Sequence, residues 1–241
     1  FLNEDPAAPE SSDTLELGLR AQLLDEKLQI NVTAFRTEYE DLQLTMRDLV
    51  NNRNVVGSVP KVISQGLEMN MAAAVGDSFS FNTAITYLDA YYDDFTNAGC
   101  YGGQTLEQGC LSSAGGHTQD LSGEVLVSVP RWKVALSLRK SMDWRAYLAH
   151  IDVHWRIQSD SNLDVAGRPI AGQAGYAIVD ASLTIGRSGD RSSIKFFINN
   201  VLDKQAVNGI SINGNAGGDL ALHMVPRDFH RYAGLSLRHD F

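Results

Sequence analysis

Arg231, Tyr232, Ala233, Gly234, Leu235, Ser236, Leu237, Arg238, His239, Asp240 and Phe241 end the sequence, and they alternate. Ala233, Leu235, Leu237 and Phe241 share one parity with His239, while Tyr232, Gly234, Ser236, Arg238 and Asp240 share the other. Successive side chains of a strand point to opposite faces, so this pattern predicts a strand with one apolar and one polar face. Half-buried strands of soluble sandwiches alternate too. The aromatic finish is the more telling feature, because soluble chains usually end in a frayed polar tail.

The whole sequence tolerates a membrane reading only of one kind. Its 241 residues suffice for one large all-β unit or two small domains. Mean hydropathy is -0.17, and no run approaches the roughly 18 apolar residues of a membrane helix. Barrel strands dilute each lipid-facing residue with a lumen-facing one, so a barrel stays open. A net charge of -9 argues against nucleic acid, which wants a basic stripe. Cys100 and Cys110 lie in one Gly-rich segment, which favours a loop disulfide in an oxidising compartment over free or metal-binding thiols. Phe1, Leu2, Asn3, Glu4 and Asp5 make neither a natural start nor a signal peptide, so a fragment is expected.

Working back from the last strand, the same parity recurs. Leu15, Leu17, Leu19, Ala21 and Leu23 are followed after a tight turn by Leu28, Ile30, Val32 and Ala34. Further on come Ile63, Leu67, Met69, Met71, Ala73 and Val75, then Phe79, Phe81, Thr83, Ile85 and Tyr87. Later strands carry Trp132 to Leu138, Tyr147 to Ile157, Ala177 to Ile185, and Ile194 to Ile198. Short turns are expected at 25–27, 76–78, 141–144 and 188–191, and long loops at 47–59, 93–131, 159–175 and 203–230. Nine strands with loops sorted by length onto two ends suit a transmembrane barrel, whose periplasmic turns are short and extracellular loops long. Glu16, Arg20, Glu68, Lys133, Arg139, Asp152, Arg156, Asp180, Lys195, Arg238 and Asp240 all fall on the non-apolar parity. Arg36, Glu38, Glu40, Arg145 and Arg187 break that rule, at positions where they can reach headgroups or water.

Several local patterns then converge on a family. Pro9 to Arg20 resembles the P-E-x-S-x-x-Y-E-x-G-x-K segment of TonB-dependent receptor barrels, with Leu15 for the usual Tyr and Arg20 for the usual Lys. Asn31 to Gln43, with Phe35, Tyr39 and Asp41-Leu42-Gln43, resembles the long strand that follows. Gly66-Leu67-Glu68 matches its G-x-E, and Pro130-Arg131-Trp132 its P-x-W. Phe197 to Lys204 is similar to the penultimate N-L-x-D-K signature, and the terminal Phe241 resembles the residue read by the barrel-assembly machinery.

The resemblance implies an all-β, antiparallel transmembrane β-barrel in the Gram-negative outer membrane. Residues 1–241 would supply about nine C-terminal strands of a plugged barrel of about 22, without the plug domain or the N-terminal strands. It further implies energy-coupled import of a bulky scarce ligand, most commonly a ferric siderophore. Cobalamin, haem, nickel chelates and carbohydrates are other cargoes. The expected partners are outer-membrane lipid, the assembly machinery through Phe241, the TonB complex through a region outside this chain, and a small-molecule chelate. No catalysis and no cofactor are expected. A passive porin-type channel and a secreted β-sandwich binding module are the alternatives.

Candidate binding residues cluster at one loop. Tyr91 and Tyr92 stand at its base, and Phe95, Tyr101, Gln104 and His117 lie within it beside Cys100, Cys110 and Gln108. Aromatic and amide groups on a stapled loop can grip an aromatic chelate or a sugar ring, although a Gly-rich loop needing its disulfide for order would look the same. The polar 208–218 segment is a weaker candidate for the same mouth. His150 and His154 flank Asp152 on the polar parity, yet an i, i+4 pair on a strand is about 13 Å apart. Metal–ligand bonds of about 2 Å cannot span that, so a hydrated polar wall is expected.

Overall fold

The computed structural model describes residues 7–48, 53–113, 116–187, 189, 191–213, 220–227 and 229–239. Nine long strands form one sheet: β1 (Ser11–Leu23), β2 (Leu28–Asp48), β3 (Arg53–Val75), β4 (Phe79–Asp94), β5 (Trp132–Trp144), β6 (Tyr147–Gln158), β7 (Tyr176–Arg187), β8 (Ser192–Asn199) and β9 (Tyr232–His239). Each pairs antiparallel with its neighbours in sequence, so the sheet is an uninterrupted meander. Described residues form no helix long and apolar enough to cross a membrane. Phe241 and Asp240 lie outside the described residues.

The registers carry the sequence parity across the whole sheet. Leu19, Val32, Met69, Ile85, Val134, Ile157 and Ala177 form one cross-strand row. The adjacent row, on the opposite face, runs Arg20, Asn31, Asn70, Ala84, Ala135, Arg156 and Ile178. The apolar face is uncovered, with Leu17 77% and Leu237 71% exposed. Such a continuous apolar surface is an aggregation hazard in water and the expected outer wall of a barrel in lipid. Aromatic residues edge it: the Tyr87 and Trp132 rings meet at 4.8 Å, tilted by 48°, towards the long-loop end, and Trp144 pairs with Tyr147 at the short-turn end.

The polar face neutralises its charges across strands. Arg139 Nε donates to Asp152 at 2.6 Å, and Arg156 reaches Asp180 at 3.1 Å. The close approach of β3 to β4 needs a glycine at 66. Gly66 faces Leu88 across the pair, and a Cβ there would overlap the Tyr87 carbonyl oxygen.

One loop expectation fails. Residues 47–59 do not form a long polar loop, because β2 runs to Asp48 and β3 starts at Arg53. Val55, Val56 and Val59 are β-branched and keep pairing with Met46, Thr45 and Leu42, so strand chemistry outlasts the membrane-length segment. Length sorting of connections therefore breaks at this hairpin, which projects beyond the other strands. The 141–144 turn also shrinks to residues 145–146, with Arg145 at φ 57.

Within the projection the sidedness inverts. Thr37 and Tyr39 turn to the covered side below Asp41, whereas Leu42, Leu44 and Met46 do so above it. Asp41 has φ 55, and this left-handed residue rotates the strand by one face. The inward residues join Val59, Val62, Tyr92, Phe95, Ala98 and Leu121 in the one buried apolar cluster among the described residues.

Candidate functional site

The loop after β4 is a small folded body. Strands Ala98–Gly99, Leu111–Ser113 and Gly116–Gln119 make a three-stranded sheet, and Cys100 bridges to Cys110 with Cα atoms 5.8 Å apart. Buried Gln119 is its hub. Its amide nitrogen donates to the Gly99 and Ala166 carbonyls at 3.0 Å each, and its oxygen accepts from Gln104 at 2.8 Å. Three contacts fuse this body to the 159–175 loop: Gln119 to Ala166, Ser128 N–H to the Asn162 carbonyl at 2.7 Å, and the Arg168 guanidinium 5.5 Å above the Tyr101 ring.

This placement corrects part of the sequence reading. Tyr92 and Phe95 are each 1% exposed, their rings 5.1 Å apart in the apolar cluster. They hold the loop down and present nothing to a ligand. Burial pushes the Tyr92 hydroxyl up to about 12. Tyr91 pairs with Ile63, on the face opposite Tyr92. Gln104 is a strut. Tyr101 is half-buried beneath Arg168, and exposed His117 bonds Ser112 at 3.0 Å. Tyr101, Gln104 and His117 each already have a partner within the folded loops. Replacing Cys100 and Cys110 with serine should cost about 2–3 kcal/mol of local stability. Faster amide exchange confined to 98–119 would be its signature.

Asp164 sits in the fused loops with its carboxyl pushed up by burial, a shift the Arg168 backbone N–H and charge only partly oppose. The folded state therefore favours the protonated acid. Stability from this group is full below the ordinary carboxylate range and is lost as pH rises through the raised value. Asp164→Asn keeps an acceptor for the Arg168 N–H, 3.3 Å away, and should flatten the pH dependence of amide exchange across 161–173.

On the polar face, a chamber of about 410 Å³ lies between the wall and the last long loop. Lys133 of β5 and Arg156 and Gln158 of β6 form its floor with Tyr176 at the start of β7. Lys204, Ala206, Asn208, Arg227 and Phe229 of the 200–231 loop roof it. Among the described residues its lining holds four basic side chains and no carboxylate. The sequence reading missed it, because floor and roof come from separate stretches that look like ordinary wall and loop charges.

Elsewhere on this face His150 and His154 accept or donate through Nδ1 to Ser141 at 2.9 Å and Ser137 at 2.8 Å. Among the described residues no group of three His, Cys, Asp or Glu side chains could hold a metal ion. The expected polar wall fits these pairings.

Relatives are recognisable at the level of fold. The ferric yersiniabactin uptake receptor FyuA of Yersinia pestis superposes with a TM-score of 0.70 at 18% identity, over 99% of this chain and 32% of that one. The siderophore receptor PiuA of Acinetobacter baumannii gives 0.67 at 17%, over 95% and 28%. The copper transporter OprC gives 0.62 at 12%, over 98% and 32%. The chain thus spans about a third of the length of these proteins, which are described as receptors and transporters and not as enzymes. Among curated sequences none matches. The family model described as TonB dependent receptor-like, beta-barrel matches residues 3–201. With one apolar and one polar face carried across nine strands, this chain belongs to the TonB-dependent receptor-like β-barrels of the outer membrane.

Proposed function

We propose that the chain is the C-terminal portion of a receptor barrel that imports a ferric siderophore across the outer membrane with TonB-coupled energy. In this reading the long loops face outward, the polar face lines the lumen, and plug and coupling motif lie in sequence outside these 241 residues. Lipid covers the apolar face, and Phe241 would present the assembly signal. The carrying observation is the chamber: four cations and, among the described residues, no lining carboxylate, on the polar wall near the long-loop end.

That chamber favours an anionic chelate over a bare metal cation, although a copper transporter shares the fold. Four cationic side chains around about 410 Å³, with Arg156 already paired to Asp180, outnumber that one carboxylate and repel a free cation, while a chelate brings its metal wrapped in acidic oxygens. The test is uptake of radioactive iron by iron-starved cells expressing the full-length gene, over a panel of ferric siderophores, with and without TonB. Coupled uptake of one siderophore is expected. Uptake indifferent to TonB would replace this reading with a passive channel, and uptake of copper alone would remove the siderophore.

A further inference from the structure

The roof of the chamber is held by a residue that does not line it. Asn200 is fully buried, at φ 50, where β8 gives way to the last long loop. Its side-chain nitrogen donates to the Lys204 carbonyl at 3.0 Å and the Phe229 carbonyl at 3.2 Å, and its oxygen accepts the Lys204 N–H at 2.9 Å. One amide therefore ties both legs of the loop together, although Lys204 and Arg227 are far apart in sequence. The Phe229 N–H returns to the Pro226 carbonyl at 3.2 Å, so the turn bearing Arg227 is fixed through the same carbonyl-bearing residue.

The floor is tied to the same point. The Asn200 backbone N–H donates to Asp180 Oδ1 at 2.8 Å, while Asp180 Oδ2 takes the Arg156 guanidinium at 3.1 Å. A single carboxylate thus aims a floor cation and anchors the roof. Bringing two roof cations over Lys133 and Arg156 is electrostatically uphill when the chamber is empty. The buried tether supplies what that repulsion costs, and a ligand with several negative charges recovers it.

We propose that Asn200 is a positioning residue for polyanion binding: it sets the chamber's affinity for a multiply anionic aromatic ligand by placing Lys204 and Arg227 over Lys133 and Arg156. This rests on reading the chamber as a ligand site. Tyr176 and Phe229 supply the aromatic surfaces, and the ligand class is an aromatic acid bearing carboxylate, phenolate or sulfonate groups.

The test is a mutant cycle on the purified full-length receptor in lipid nanodiscs, with 5-sulfosalicylate as a fluorescent polyanionic probe. Asn200→Gly is the informative variant, since glycine accepts the positive φ and only the tethers are lost. It should weaken probe binding about tenfold, as should Lys204→Ala with Arg227→Ala, because each removes about 1.4 kcal/mol of binding. Added to that double variant, Asn200→Gly should change affinity by less than about twofold, since the two cations it positions are gone. An additive effect there, or no effect of Asn200→Gly alone, overturns the proposal. If Asn200→Gly fails to assemble, Asn200→Ser carries the same cycle, because its hydroxyl stays neutral and, with one proton, cannot donate to both the Lys204 and Phe229 carbonyls. A double variant that binds the probe like wild type, with siderophore uptake intact, removes the chamber as the site and leaves the transport reading standing.

Discussion

Gly66→Ala is expected to prevent assembly of the barrel or leave it at the edge of stability. A methyl at this position overlaps the Tyr87 carbonyl oxygen, and backbone cannot swing aside as a side chain can. Either β3 and β4 separate locally, breaking ladder bonds beside Leu88, or the strand twists away from Phe35 on its other side. Overpacking of this sort typically costs about 1–3 kcal/mol, and backbone overlap lies at the upper end. Gly18→Ala is the control, since its Cβ would meet Thr33 Oγ1 at an ordinary 3.8 Å. Heat-modifiable migration of the full-length receptor should persist in Gly18→Ala and vanish or weaken in Gly66→Ala. Equal behaviour of the two would show that sheet geometry at Gly66 is looser than described.

Val153→Arg carries the second large effect. Val153 pairs with Leu138 and Ala181 in the apolar row, while His154 beside it pairs with Ser137 and Asp180 on the lumen wall. An arginine facing lipid near mid-depth costs about 2–4 kcal/mol. His154→Arg places the same charge one residue along in water, where the chief loss is one hydrogen bond, about 1 kcal/mol. Urea titration of receptor folded into vesicles should separate the two by roughly that margin. If both destabilise alike, the faces have been assigned to the wrong solvents.

The strands were readable because lipid enforces a rule that water does not: every outward side chain must be apolar along a whole segment. Leu15 to Leu23 or Ala177 to Ile185 reveal that rule at a glance. Two features escaped it. The hairpin around 47–59 resembles a loop because Asn, Arg and Gly interrupt its valines, and beyond the membrane alternation is no longer enforced. The chamber escaped because its cations meet through Asn200, whose role depends on partners distant in sequence. Tyr92 and Phe95 are aromatic, which describes a core residue as well as a binding one. Gly66, by contrast, stood out within the Gly66-Leu67-Glu68 pattern before its steric reason was visible.

Asp41 divides β2 into two jurisdictions. Below it, hydrophobic side chains look outward to oil; above it, they look inward to one another. The same strand therefore speaks two hydropathy languages with the grammar reversed at a single left-handed residue. A leucine substituted for Thr45 belongs to the second language and a leucine for Thr33 to the first, so the same substitution means different things on either side. The upper part is in effect a water-soluble protein growing out of a membrane protein without a linker. Its sequence can change by the rules of soluble cores while the wall beneath keeps its uncovered apolar face, which lets the projecting end diversify without renegotiating the barrel.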